Sequence, residues 1–156
     1  MENEKFSISN YMRKGVTTVG KKVTFREAVQ TMIQHQTNGL AVVDSSGKIC
    51  GILSILDLIE YIVPDYLEYD KHLASFEAPD VFEQRVKEVA DIQVGEFMTK
   101  HVHVLKGGHS MIEALTLMSE HHIRQIPIVD NNDCPIGYIT RTEVKKAIGD
   151  ALEMQQ

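Results

Sequence analysis

The chain has 156 residues, 43% hydrophobic and 24% charged, with 16 Lys and Arg against 22 Asp and Glu for a formal net charge of −6. That length suits one ordinary domain or two very small ones. The acidic balance argues against a general binder of the nucleic-acid backbone, which needs a basic face.

Residues 1–10 mix Glu, Asn, Lys and Ser without the apolar core of a secretory leader, and no apolar run reaches the roughly 18 residues that cross a bilayer. A cytoplasmic protein without a membrane span is the expectation. The first predicted element is a short β-rich stretch at residues 16–19. Thr24-Phe-Arg-Glu27 then reads as a capping box, opening a helix that carries Phe25, Ala28, Val29, Met32 and Ile33 on one face. An apolar strand at 40–43, a polar turn at 44–47, a second strand at 49–53 and a helix at 55–63 follow, the helix stopped by Pro64. In the connector, Tyr66, Tyr69 and Phe76 precede a helix opened near Pro79-Asp80 with Phe82, Val86 and Val89 at i, i+4 and i+7. This patterning predicts a lid or extra layer packed on the core.

The same elements then recur. A β-rich stretch at 102–105 leads to the capping box Ser110-Met-Ile-Glu113 and a helix with Met111, Ala114, Leu115 and Met118; strands at 126–129 and 136–139 flank the turn at 130–133, and a helix runs over 141–148. Shifted by 86 positions without a gap, Met12 falls on Met98, Glu27 on Glu113, Val43 on Val129, Gly51 on Gly137 and Ile62 on Ile148. The matched copies are residues 10–62 and 96–148, 53 residues each, and the predicted divisions are a first repeat at 7–63, a helical connector at 64–93 and a second repeat at 94–150. Segments so small rarely bury enough apolar surface to fold alone, so the copies should fold against each other. The predicted order is β-α-β-β-α, twice.

In both copies the second strand runs straight into the closing helix, through Gly51-Ile-Leu-Ser54-Ile-Leu-Asp57 and Gly137-Tyr-Ile-Thr140-Arg-Thr-Glu143. A Gly permits close backbone approach, a hydroxyl stands at the N-cap, and a carboxylate stands three residues on. The spacing supports two readings. One is a plain helix cap; the other is a ligand site, since a strand end meeting a helix start presents hydroxyl, carboxylate and backbone N–H together, and vicinal ribose hydroxyls suit such a carboxylate.

The pattern resembles a tandem pair of cystathionine β-synthase (CBS) domains, a Bateman module. The resemblance covers both repeats and rests on Tyr11-Met-Arg-Lys14 and Phe97-Met-Thr-Lys100, on Gln125-Ile-Pro-Ile-Val-Asp130, and on the two Gly-to-carboxylate segments. It implies an α/β (α+β) fold of two pseudo-twofold-related repeats packed through their sheets with an inserted helical connector. It implies AMP, ADP, ATP or S-adenosylmethionine as regulatory ligand in the inter-repeat clefts, and a homodimer that signals to an effector enzyme or transporter in trans. Carried over by position, Ser54 and Asp57 would hold ribose in the first site, with Asn38, His101, Val102 and His103 around it and Arg124 for phosphate. The second site would pair Thr140 and Glu143 with Gly15, Val16 and Thr17, with Arg141 or Arg124 for phosphate. The family pattern has Asp where this chain has Glu143, one methylene longer, which ranks the Asp57 site first. Ala41 also stands where the second copy has Pro127.

Seven histidines invite a metal reading, with His101 and His103 on one side of a strand and His121-His122 ending a helix, but no Cys or acidic third ligand lies close in sequence and no metal is predicted. Cys50 and Cys134 lack a metal-type spacing and read as inert core thiols. Motifs of the serine hydrolase, P-loop, zincin and dinucleotide-binding types are missing from the sequence, and no enzyme activity is expected. A ligand-independent dimerisation or scaffold module is the alternative. With the repeats and connector filling the 156 residues, the module is expected to report to another polypeptide.

Overall fold

The computed structural model describes residues 5–154, so the reading of residues 1–10 as free of a leader lies partly outside the described residues. In chain order the elements are α1 (Ile8–Tyr11), β1 (Arg13–Lys14), β2 (Thr18–Gly20), α2 (Phe25–Gln34), β3 (Gly39–Val43), β4 (Ile49–Ser54) and α3 (Ile55–Ile62). The connector holds α4 (Asp65–Tyr69), a 3-10 turn (Lys71–Phe76) and α5 (Val81–Val89). There follow α6 (Val94–Phe97), β5 (Leu105–Lys106), α7 (Met111–His121), β6 (Gln125–Val129), β7 (Pro135–Thr140) and α8 (Arg141–Ala151). The β-α-β-β-α order occurs twice, as the repeat predicts, with a short helix added before each copy.

The chain divides into two compact units whose boundaries cut across the repeats: one comprises residues 17–44 and 50–100, the other the residues up to 16, residues 45–49 and those from 101 onward. We call them the first and second unit. In the first, the sheet order is β2-β3-β4, with β2 parallel to β3 and Val19 opposite Val42. Its core gathers Val19, Phe25, Ala28, Met32, Leu40, Val42, Leu53 and Leu58, joined by Val89 from α5 and Val94 from α6. In the second, the order is β1-β7-β6-β5, with β5 parallel to β6 and Leu105 opposite Ile128. Its core gathers Leu105, Met111, Ala114, Ile126, Ile128, Ile139 and Ala147 around Ile8 from α1.

Each repeat therefore gives its opening segment to the unit built from the other repeat. Ile8 and Val94 are equivalent under the 86-residue shift, and both are fully buried. The hydrogen bonds repeat too: Ile8 N–H donates to His109 O at 2.9 Å and Val94 N–H to Val23 O at 2.7 Å. Arg13 pairs antiparallel with Tyr138, and Thr99 with Ile52, again at equivalent positions. The exchange gives each small core an apolar plug from outside its own repeat, which is how units this small gain burial.

The helices α2, α3, α7 and α8 each open on a capping box, which satisfies N-terminal backbone donors reciprocally: Thr24 with Glu27, Ser54 with Asp57, Ser110 with Glu113 and Thr140 with Glu143. The backbone and side-chain hydroxyl of Ser110 hold the exposed Glu113 carboxyl below its ordinary value.

Several sequence expectations are corrected. The opening strands lie later than read, at Thr18–Gly20 and Leu105–Lys106, because only there does the backbone reach the parallel partners β3 and β6. Residues 101–104 are not strand, so His101 and His103 do not share a strand face; the His103 ring instead stacks on His121 with centroids 3.8 Å apart. Among the described residues no cluster of three or more His, Cys, Asp or Glu could hold a metal ion. Cys50 and Cys134 are half-buried rather than core, with Cys50 Sγ donating to Val42 O at 3.4 Å. The connector aromatics do not pack as a lid: Tyr69, Phe76 and Phe82 are 92%, 82% and 67% exposed, and only Val89 and Ala90 of that segment are buried. Among the described residues no helix is long and apolar enough to cross a membrane.

Candidate functional site

In the first unit, β4 delivers an extended Ser54 to the start of α3, and its Oγ accepts from Asp57 N–H at 3.3 Å. The carboxylate folds back: Asp57 Oδ2 accepts from Ser54 N–H at 2.7 Å and from Ser54 Oγ at 2.9 Å. Oδ1 accepts from a third donor, Thr99 Oγ1, at 3.0 Å. Thr99 stands there because its N–H and C=O exchange hydrogen bonds with Ile52 at 2.9 and 3.0 Å, drawing the segment after α6 along β4. Gly51 is what lets that segment lie so close, for a Cβ there would meet Met98 Sδ at 2.4 Å. Asp57 remains half-buried, and a carboxylate oxygen bonded once, to a neutral hydroxyl, keeps acceptor capacity.

In the second unit the same construction has a different occupant. Thr140 donates to Glu143 Oε2 from its N–H at 2.9 Å and from Oγ1 at 2.6 Å. Glu143 Oε1 accepts from Arg13 Nε at 2.5 Å, an ion pair in which the glutamate side chain is 6% exposed and the arginine 51%. Arg13 reaches it from β1, whose Lys14 lies opposite Gly137, and a Cβ on Gly137 would meet Arg13 O at 2.4 Å. Burial pushes the Glu143 carboxyl up, but the Thr140 and Arg13 hydrogen bonds outweigh it and hold the group below the usual carboxylate value. The same bond, with Tyr138 adding to it, raises Arg13.

Arg13 and Thr99 are repeat-equivalent, as are Glu143 and Asp57. One carboxylate is thus buried and committed to a guanidinium, and the other is half-buried and bonded to a hydroxyl. A hydrogen bond to an ionised partner contributes roughly 1.5–3 kcal/mol, and a charged donor is the harder one for an incoming ribose hydroxyl to displace.

Of the residues expected at the first site, Ser54, Asp57 and the exposed Asn38 share the first unit, Asn38 O accepting from Ile55 N–H at 2.9 Å. His101, Val102, His103 and Arg124 belong to the second unit, with Arg124 exposed just before β6. Of those expected at the second site, Gly15, Val16, Thr140, Arg141 and Glu143 share the second unit, where Gly15 N–H donates to Ile136 O at 3.3 Å; Thr17 falls in the first, its carbonyl accepting from Ala41 N–H at 3.1 Å. Sequence reasoning missed Thr99 and Arg13. The repeat register aligns the two, each directly after an opening methionine, Met98 and Met12, but carries no signal of which carboxylate either one meets.

The CBS domain family model matches residues 8–64 and 94–150. Over 133 residues the chain is 30% identical to the inosine-5'-monophosphate dehydrogenase of Methanocaldococcus jannaschii, covering 85% of this chain and 22% of that enzyme. It is similar to the solved structure of CBSX2, a protein of Arabidopsis thaliana, in complex with AMP, with a TM-score of 0.70 at 22% identity over 94% of this chain and 98% of that one. It is also similar to the CBS domain pair of protein MJ0100 in complex with 5'-methylthioadenosine and S-adenosyl-L-methionine, with a TM-score of 0.69 at 19% identity over 93% and 97%. At such identities these likenesses show the fold. The chain spans 22–37% of the length of the first curated relatives it matches.

Proposed function

The chain belongs to the CBS-domain family, and on that premise we propose that it is a non-catalytic regulatory module that binds an adenosine-containing ligand, AMP, ADP, ATP or S-adenosylmethionine, through the carboxylate of Asp57. The observation that carries this reading is the unequal pairing of the two repeat-equivalent carboxylates. Asp57 needs to exchange only a neutral hydroxyl bond from Thr99 to accept the 2'- and 3'-hydroxyls of a ribose, whereas Glu143 is buried on Arg13. Further support comes from CBSX2 in complex with AMP and MJ0100 in complex with 5'-methylthioadenosine and S-adenosyl-L-methionine, ligands that share the ribose diol.

The ligand would act by favouring one of two arrangements of the chain for which it has unequal affinity, and that preference would pass to a partner protein. Self-association into a homodimer fits the exposed Ile55, Leu56 and Ile59 on α3. The competing reading, a ligand-independent scaffold in which Ser54 and Asp57 only cap α3, has the capping box in its favour.

Thermal unfolding with each adenosine compound in excess separates the two. A ligand at about 100 times its dissociation constant adds roughly 2.7 kcal/mol of stability, and one bound tenfold more weakly adds about half of that, so AMP or a related compound should raise the melting temperature of the natural chain and raise that of Asp57→Asn by half as much or less. A melting temperature indifferent to all of them would assign the chain to the scaffold class.

A further inference from the structure

We propose that the connector between the repeats is the docking face for a partner, and that the partner offers a basic amphipathic segment, Lys or Arg residues interleaved with apolar ones. This goes beyond the ligand reading and does not depend on it. Residues 64–93 carry eight acidic side chains against three basic ones, so five of the six net negative charges of the chain lie there. Within it, residues 65–80 hold Asp65, Glu68, Asp70, Glu77 and Asp80 with one Lys or Arg, Lys71. Among these carboxylates stand Tyr66, Tyr69, Leu73 and Phe76, with Phe82 on the next helix, all exposed.

The segment is built and anchored. Arg85 on α5 donates to the carbonyls of Ile62 and Tyr61 at 2.9 and 3.2 Å, and Val89 is buried in the first unit's core. Tyr66 donates its hydroxyl to Glu77 across α4 and the 3-10 turn, and Asp70 caps that turn by accepting from His72 N–H at 3.0 Å. Two of the three bases are engaged locally, Arg85 with Glu88 at 2.6 Å and Lys87 with Glu83 at 2.5 Å. The aromatics are thus displayed on an ordered acidic surface.

Charge selects the occupant. A second copy would set two connectors of net charge −5 against each other, and nucleic acids and anionic membranes would be repelled for the same reason. A cationic amphipathic segment answers both features: its apolar residues cover the rings, as aromatic anchors at protein interfaces require, and its Lys or Arg side chains meet carboxylates and ring faces.

The test uses the full chain and two labelled synthetic peptides, an amphipathic Leu/Lys helix and the Leu/Glu helix of the same spacing, with binding read by fluorescence anisotropy. The Leu/Lys peptide should bind and the Leu/Glu peptide should not. Tyr69→Ser with Phe76→Ser, and separately Glu68→Lys with Asp80→Lys, should each weaken binding at least about tenfold without lowering the melting temperature. Glu96→Lys with Glu120→Lys, an equal charge change elsewhere, should weaken it far less. The proposal fails if the Leu/Lys peptide does not bind, if the serine variant binds it equally, or if the two lysine pairs have the same effect. It also fails if light scattering shows that the serine variant has lost self-association, which would make a second copy the occupant.

Discussion

At the scale of single residues, the two units differ in what stands opposite the carboxylate of the closing helix, Thr99 in the first and Arg13 in the second. If Arg13 is what closes the second carboxylate to ligand, Arg13→Thr gives Glu143 the neutral partner that Asp57 has in Thr99. The expected result is a second binding event per chain in an AMP titration, together with a lower melting temperature, since a buried carboxylate loses a charge-assisted bond of roughly 1.5–3 kcal/mol. An unchanged number of sites would show that Glu143 is excluded for another reason, such as its length. The same pair sets an acid limit. The folded-state Glu143 carboxyl lies below its unfolded value of 4.5, so its stabilisation is present above about pH 4.5 and lost as pH falls through the folded value. Melting followed from about pH 6 down to pH 3 should fall more steeply for the natural chain than for Glu143→Gln; parallel curves would contradict the assignment.

At the scale of elements, the exchange of α1 and α6 predicts where damage appears. Ile8→Ala should cost about 2–5 kcal/mol, and Val94→Ala less because fewer atoms are removed. Hydrogen exchange should find the loss from Ile8→Ala in β7 and α8 and that from Val94→Ala in α2 and β3, each in the unit that receives the plug. The reverse pattern would contradict the exchange. The paired strands before each closing helix, the closing helices and the capping boxes were legible because they are local: Thr24-Phe-Arg-Glu27 states a helix start in four letters, and residues 40–43 and 126–129 are apolar runs between turn residues. The plugs were not legible, since four-residue helices such as Ile8–Tyr11 have no periodicity to detect and take their stability from a core contributed by the other repeat. The connector misled for a related reason. Its i, i+4, i+7 spacing is real, but of Phe82, Val86 and Val89 only Val89 is buried, and periodicity alone does not say whether an apolar face meets the same chain or a different one.

At the scale of the molecule, an ungapped repeat sets two unequally paired carboxylates at equivalent positions, and much of the asymmetry lies in Thr99 against Arg13 and Asp57 against Glu143. Ser54, Asp57, Thr140 and Glu143 could be picked out from sequence because the Gly-to-carboxylate motif is contiguous; the donors opposite them could not, because β-pairing brings them from distant positions. Nearly all of the net negative charge is set apart in the connector, away from the carboxylate of Asp57, where the proposed basic partner would meet it. The central claim is that ligand recognition rests on the Asp57 carboxylate and not on its repeat equivalent. Calorimetric titration of AMP into the natural chain, Asp57→Asn and Glu143→Gln tests it most directly. The prediction is about one site per chain, affinity reduced at least about tenfold in Asp57→Asn and unchanged in Glu143→Gln; full affinity in Asp57→Asn with loss in Glu143→Gln would contradict it.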